Sequence, residues 1–359
     1  MDKRALIAMS GGVDSSVSAA IMKERGYDCM GCTMRLYEND MIGEDLFGTC
    51  CSLKDTTDAR AVCDRLEIPY QIYHCEAQFT EKVIKPFVCS YEHGETPNPC
   101  IRCNRYLKFD ILYEKAKELG YENIVTGHYA RIEEKDGHLY LMKAVDPAKY
   151  QSYVLYDLTE EQLANTVFPL GELTKQQTRE IAGRYDFVNS QKKESQDICF
   201  VPDGDYGAMI KRYRGKEYPK GDFVDLEGNV LGTHDGIINY TIGQRRGLGI
   251  PADRRLYVFR LDVENNRVIL ADDKDLFRKK LKVRDFRWIT GEMPKDAFRC
   301  SAKIRYRHKE QPATVTVTED GTGAIIEFDE PQRAITAGQS AVLYDGDYVL
   351  GGGIIDGVL

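Results

Sequence analysis

No part of this sequence reaches the run of ~18 apolar residues that a membrane span needs. No apolar export segment precedes its first glycines. Both absences predict a soluble, cytoplasmic protein that engages no membrane. Histidine is scarce, with six residues, and His74, His93, His138, His234 and His308 show no ligand spacing, so they are expected to be ordinary surface or core residues. Tryptophan occurs once, and Trp288 reads as core rather than as a base-stacking platform. The glycine-rich loop near the N-terminus lacks the lysine of G-x-x-x-x-G-K-[ST], which excludes the usual kinase or GTPase cradle, and no G-x-G-x-x-G is present to suggest a dinucleotide fold.

Cysteine, by contrast, is plentiful. Eleven is an odd number in a chain without an export signal, which argues against a disulfide framework and for thiol chemistry, a metal site or plain core use. Cys29, Cys32, Cys63 and Cys75 lie in apolar or helical patterns and are expected in the core. Adjacent Cys50 and Cys51 suit a shared metal poorly. The net charge of −8 alone argues against a nucleic-acid partner. The charge is uneven, however: residues 210–260 hold ten Lys/Arg against six Asp/Glu, and residues 281–310 hold nine against four.

The stretch Ser10-Gly11-Gly12-Val13-Asp14-Ser15-Ser16 follows an apolar strand, Ala5–Met9, and opens a helix, Ser15–Arg25. A glycine turn between strand and helix leaves backbone N–H groups free at the positive end of the helix dipole, and serine hydroxyls add donors, so the loop is a nest suited to phosphate. Further strands are expected at Cys29–Tyr37, Tyr70–His74 and Asn123–Thr126, and further helices at Thr56–Leu66 and Asn104–Leu119, the last capped by Asn104. This alternation predicts a doubly wound α/β domain with a mostly parallel sheet, with Thr126-Gly127-His128 and the glycine loop both at the carboxyl ends of strands. A hairpin turns at Asp136-Gly137, and β-hairpins dominate from Asp222 onward. The last ~80 residues read as a small antiparallel barrel or sandwich. The expected domains are 1–204, 205–278 and 279–359.

In Thr96-Pro97-Asn98-Pro99-Cys100-Ile101-Arg102-Cys103-Asn104, the two prolines are expected to hold the chain extended until Asn104. Cys103 would then sit just before a helix N-terminus, where the dipole favours thiolate, with Arg102 and Arg105 adding positive charge. A lone C-x-x-C leaves zinc, redox, iron–sulfur and catalytic uses open, although no second C-x-x-C is present to complete a zinc site. Cys199, in Asp197-Ile198-Cys199-Phe200, reads alone as a buried strand cysteine.

The loop resembles the pyrophosphate loop of the ATP-pyrophosphatase superfamily. Together with Thr-Pro-Asn-Pro at 96–99, Thr-Gly-His-Tyr-Ala at 126–130, Lys149–Tyr153, Asp-Ile-Cys-Phe and Ile-Gly-Gln-Arg-Arg-Gly-Leu-Gly at 242–249, the whole chain is similar to the bacterial tRNA-specific 2-thiouridylases. The resemblance implies an adenine-nucleotide α-hydrolase type of sheet domain, a small central domain and a C-terminal antiparallel β-barrel. It implies ATP contacts at Ala8, Met9, Ser10, Gly11, Gly12, Val13, Asp14, Ser15, Met34 and Gly127, with Asp14 helping to place Mg²⁺. It assigns Cys103 as nucleophile, Cys199 as persulfide carrier, and Asn98, Pro99 and Cys100 to the target base. It assigns His128, Lys149, Tyr150, Gln151, Arg305, Tyr306 and Gln339 to tRNA. A sulfur donor, either a cysteine desulfurase or a sulfur relay protein, is the implied partner.

Many relatives carry Asp where this chain has Cys100. The cysteine removes a carboxylate and leaves Cys100, Cys103 and Cys199 as a candidate ligand set for a [4Fe–4S] cluster, in rivalry with persulfide chemistry and a transient Cys103–Cys199 disulfide. Two other readings compete. A small-molecule synthetase shares the loop but needs neither two reactive cysteines nor a basic β-rich tail. A non-catalytic ATP- and tRNA-binding module needs no nucleophile.

Overall fold

The computed structural model describes residues 3–37, 53–192, 198–291, 294 and 296–359. Cys50, Cys51 and Asp197 lie outside the described residues. The first strand, β1 (Arg4–Ala8), carries Ala5, Leu6 and Ile7 fully buried, as a parallel strand covered on both faces requires. Its side chains alternate between two cores: Leu6 packs with Ile124 and Leu107, while Ala5 and Ile7 pack with Val17, Val62 and Val125. Strands β2 (Asp28–Arg35), β3 (Tyr70–His74) and β4 (Asn123–Val125) follow. The next two, β5 (Ala130–Lys135) and β6 (His138–Lys143), form the hairpin, and β7 (Thr166–Val167) returns to the parallel sheet. That sheet has the order β3-β2-β1-β4-β7 with every pair parallel. Strand order reverses between β1 and β4, so a crevice opens beyond their carboxyl ends.

The helix after β1 spans Val13–Glu24, two residues earlier than expected, which places Asp14 in its first turn. A larger difference concerns the proline segment. Helix begins at Pro99, not Asn104. Asn98 is the cap, its Oδ1 accepting the Cys100 N–H at 3.1 Å. Proline is favoured in the first turn because its missing N–H is one that the helix leaves unpaired anyway and its φ is preset. Pro99 therefore starts the helix rather than delaying it. Asn104 is buried inside it, donating to the Val154 carbonyl at 2.9 Å.

The central part pairs β8 (Gly221–Val224) with β9 (Val230–His234) and β10 (Tyr257–Asp262) with β11 (Arg267–Ala271) as antiparallel hairpins. A parallel β11–β8 pair joins them. The last part runs β12 (Phe277–Trp288), β13 (Phe298–Lys303), β14 (Gln311–Val317), β15 (Ala324–Arg333), β16 (Ser340–Asp345) and β17 (Tyr348–Val358). Pairing of β12 with both β15 and β17 closes these strands into a barrel around Val283, Val315, Ile326 and Phe328. The early hairpin β5–β6 extends the barrel sheet through Met142 opposite Tyr348, so the α/β domain and the barrel share hydrogen-bonded strands.

Candidate active site

A cavity of about 910 Å³ opens beyond the carboxyl ends of β1 and β4. Its floor is the Ser10–Ser15 loop. Gly11 has φ +70°, and a Cβ there would stand 2.3 Å from the Asp55 carbonyl, so only glycine lets the loop lie on the helix Leu53–Arg65. Gly127 solves the matching problem from β4: a Cβ would meet the Asp14 and Ser15 backbone at 2.8 Å. Ser15 Oγ accepts the Ser10 N–H at 3.2 Å and donates to the Gly12 carbonyl at 3.0 Å, which holds the loop closed.

Asp14 faces the cavity and accepts from Lys175 Nζ at 2.7 and 2.9 Å and from the Tyr129 hydroxyl at 3.0 Å. Lys192 Nζ donates to the Gly11 carbonyl at 3.0 Å and to Asp55 and Asp58 at 2.5 and 2.7 Å. Neither lysine is foreseen by the sequence reading. Lys175 carries a signal: it is the first residue of the helix Lys175–Arg184, where a cation opposes the dipole and so needs a reason.

Cys100, Cys103 and Cys199 line this same cavity, although Cys199 is remote in sequence. The Tyr37 hydroxyl donates to the Cys199 carbonyl at 3.0 Å, and Phe200 packs edge-on against Phe79 and Phe87. Two expectations about Cys103 are corrected. With helix starting at Pro99, it is Cys100 that lies in the first turn, whereas Cys103 opens a π-helical stretch, Cys103–Ile111, beyond the reach of the dipole. Arg102 and Arg105 turn away: Arg102 donates to the Lys82 carbonyl at 2.8 Å, and Arg105 pairs with Asp157 at 2.7 Å. Both line a second cavity of about 590 Å³ on the other side of Pro99. Lys108, which donates to Asn104 Oδ1 at 2.9 Å, is the helix cation that lines the cysteine cavity. Cys29, Cys32, Cys63 and Cys75 are buried, and burial pushes their thiols up, that of Cys63 to about 12.

The remaining assigned residues divide. Ala8, Met9, Ser10, Gly12, Val13 and Met34 line the cavity, as do Pro99, Gly127 and His128. So do Lys149, Tyr150, Gln151 and Tyr306. His128 is buried and bonded to Thr126 Oγ1 at 2.8 Å, and burial together with Lys108 holds its pKa well below normal, so it is neutral. Asn98 lines the second cavity and is occupied as a cap. Arg305 and Gln339 line neither cavity. Arg305 donates to the Ala334 carbonyl and to Thr336 Oγ1 at 2.6 Å. Gln339 Nε2 donates to the Thr96 carbonyl at 2.6 Å, and the Thr96 N–H bonds the Ala337 carbonyl at 2.9 Å, so the barrel clasps the segment that leads to the cysteines. On the barrel side the cavity is lined instead by Lys303, Arg307 and Lys309.

Seven cations thus line the cavity (Lys108, Lys149, Lys175, Lys192, Lys303, Arg307 and Lys309) against two carboxylates, Asp14 and Asp55. On a chain of net charge −8, such a concentration marks a site for a polyanion. Asp14 fits a Mg²⁺ site of the kind completed by nucleotide phosphates. Among the described residues no three His, Cys, Asp or Glu side chains are grouped to hold a metal ion. That grouping concerns a single ion; the three thiols, which line one cavity, suit a three-cysteine [4Fe–4S] set in kind as they suit persulfide chemistry, and no step below runs through a cluster.

A nucleotide loop on a HUP-type parallel sheet, followed by two β-rich parts, defines the class. Residues 3–203 match the tRNA methyl transferase HUP domain, 207–272 the tRNA methyl transferase PRC-barrel domain, and 278–355 the aminomethyltransferase beta-barrel domain. The tRNA-specific 2-thiouridylase MnmA of Clostridioides difficile (strain 630) is 46% identical over 358 residues, 99% of each chain. That of Geotalea uraniireducens (strain Rf4) is 48% identical, covering 99% of this chain and 95% of the relative. Among solved structures, a 4-thiouridine synthetase–RNA complex with bound ATP is similar over 56% of this chain and 45% of that one, at 19% identity and TM-score 0.37. The chain belongs to the tRNA-specific 2-thiouridylase family.

Proposed function

We propose that this protein uses ATP to replace the C2 oxygen of the wobble uridine of tRNA with sulfur, and that the sulfur passes from a persulfide on Cys199 with Cys103 as resolving nucleophile. One observation carries the reading: two cysteines from remote segments line the same cationic cavity as the nucleotide loop. ATP lies on the backbone N–H groups of the Ser10–Ser15 loop, with Lys175 and Lys192 at hand. Asp14 would hold Mg²⁺, which would neutralise phosphate charge when bound. The C2 oxygen of the extruded base attacks the α-phosphate and pyrophosphate leaves, a step that needs positioning and charge stabilisation more than covalent help. Extruding a base from a single-stranded loop costs only a few kcal/mol.

The terminal sulfur of the Cys199 persulfide then attacks C2, and AMP departs. Cys103 attacks Cys199 Sγ, and the electrons of the broken S–S bond pass to the sulfur on C2. A Cys103–Cys199 disulfide remains, and a thiol reductant reduces it to the two free thiols, itself becoming oxidised. An external sulfur donor, a desulfurase or a relay protein, reloads Cys199. The reaction belongs in the cytoplasm, where tRNA and ATP meet.

The test is incubation of an unmodified tRNA transcript with the protein, MgATP and a persulfide donor, followed by nucleoside mass spectrometry. ATP-dependent 2-thiouridine is expected. Tightly bound but unaltered tRNA overturns the enzyme in favour of a binding module, and full activity of Cys199→Ser with the same donor overturns the persulfide route.

A further inference from the structure

Of the cavity cations that have no part in the scheme above, one is buried. Lys303 ends β13 and is 4% exposed, yet it lines the cavity. Its Nζ donates to the Tyr150 hydroxyl at 2.9 Å and lies 4.3 Å from the Tyr150 ring centre and 5.8 Å from those of Tyr153 and Tyr306. The nearby Glu310 carboxylate accepts from Lys143 at 2.7 Å and from Tyr150 at 3.1 Å instead of from Lys303. Among the described residues Lys303 makes no ion pair. An ammonium has three donors, and a buried one without an anion is costly to keep charged. Burial and Lys143 accordingly push its pKa down to about 8, against the pull of Glu310.

We propose that Lys303 is a ligand for an RNA phosphodiester, receiving the backbone phosphate beside the extruded uridine from within its cage of three tyrosines. The proposal rests on tRNA being the substrate. An ATP phosphate is the other source of the same oxyanion. ATP, however, already has the loop N–H groups, Lys175 and Lys192, whereas Lys303 enters from the barrel beside Tyr150 and the 40% exposed Tyr306.

The test uses the full chain with Lys303→Met, which keeps the apolar stem, and Lys303→Arg, which keeps the charge. Binding of unmodified tRNA is measured over a salt series, and ATP binding alongside it. The Met variant is expected to bind tRNA about tenfold more weakly, with the slope of log K against log salt shallower by about 0.7, at unchanged ATP affinity. The Arg variant is expected to keep the wild-type slope. Between pH 7 and 9, roughly bracketing the Lys303 transition, wild-type tRNA affinity falls and that of the Met variant does not. The titratable groups facing Lys303 are Lys143, Glu310, Tyr150, Tyr153, Tyr306 and His308; burial pushes Tyr150 and Tyr153 up and His308 down, out of this window. A wild-type slope in the Met variant, an equal loss of slope in the Arg variant, or a loss confined to ATP affinity overturns the assignment. If wild-type protein thiolates tRNA while these results fail, the function stands and the role of Lys303 falls; if tRNA is never altered, the function itself fails.

Discussion

Lys175 grips both carboxylate oxygens of Asp14, at 2.7 and 2.9 Å, across the mouth of the nucleotide loop. The pair is part-buried and joins the helix Lys175–Arg184 to the first turn of the helix Val13–Glu24. A carboxylate held this way is oriented before any metal arrives, and its partner is a cation already beside the phosphate site.

Replacing Asp14 with Asn removes the carboxylate proposed to hold Mg²⁺ and breaks its ion pair with Lys175. Activity is expected to fall by about 10²–10³-fold, the scale for losing one preorganised electrostatic group. Thermal unfolding should report a loss of about 1–2 kcal/mol, below the value for a fully buried pair because both side chains retain solvent. An Asp14→Asn protein with normal MgATP-dependent turnover would overturn the placement.

Gly11→Ala must place a Cβ 2.3 Å from the Asp55 carbonyl at a φ of +70°. The expected result is a destabilisation of about 1–3 kcal/mol and loss of ATP binding by calorimetry. Gly12→Ala is the control: its Cβ meets only Ser10 Oγ at 3.4 Å and its φ is −93°. Equal effects of the two substitutions would contradict the loop geometry.

Cys103→Ser and Cys199→Ser are each expected to abolish thiolation while preserving tRNA-dependent ATP–pyrophosphate exchange, since activation precedes sulfur transfer. Cys100→Ser should retain thiolation within about tenfold, because no step of the persulfide route breaks or forms a bond at that sulfur. Loss of exchange in Cys103→Ser, or of all thiolation in Cys100→Ser, would show that the roles are misassigned.

His128 is neutral in the fold because burial disfavours its charged form. The unfolded chain takes up a proton there as pH falls through about 6.5, while the folded chain resists until much lower pH. Stability is therefore present above about pH 6.5 and is lost below it, at up to about 1.4 kcal/mol per pH unit for one proton. His128→Asn should flatten that acid limb in denaturant titrations; an unchanged slope would mean that His128 is charged in the folded protein.

Gln339→Ala removes the tether from the barrel to the Thr96 carbonyl. The expected cost is about 1 kcal/mol in stability, together with a raised KM for tRNA. The salt dependence of tRNA binding should not move, because the side chain is neutral. A shallower salt slope would return Gln339 to the phosphate contacts.

Local chemistry in the chain was enough to announce the parallel sheet, the glycine loop and the two cysteine segments. Those features depend on neighbours in sequence: an apolar strand, a turn that needs glycine, a helix that starts with an acid. The same local reading misjudged Pro99, because whether a proline blocks or opens a helix depends on which residue caps it, here Asn98. It passed over the helix-start signal of Lys175 and had no means of finding Lys192 and Lys303, since a lysine among ordinary polar residues carries little signal until folding sets it beside an anion, a carbonyl or a tyrosine cage. Nor could it tell that Arg102 and Arg105 point to one cavity while Cys103 points to the other, a matter of helix phase and of Asp157 lying opposite. Residue order thus determined which chemistry the chain carries. Only tertiary packing, within the sheet domain and of the barrel against it, decided which side chains share a space, because convergence of Cys103, Cys199 and seven cations on one cavity is a property of long-range contacts that no local propensity encodes.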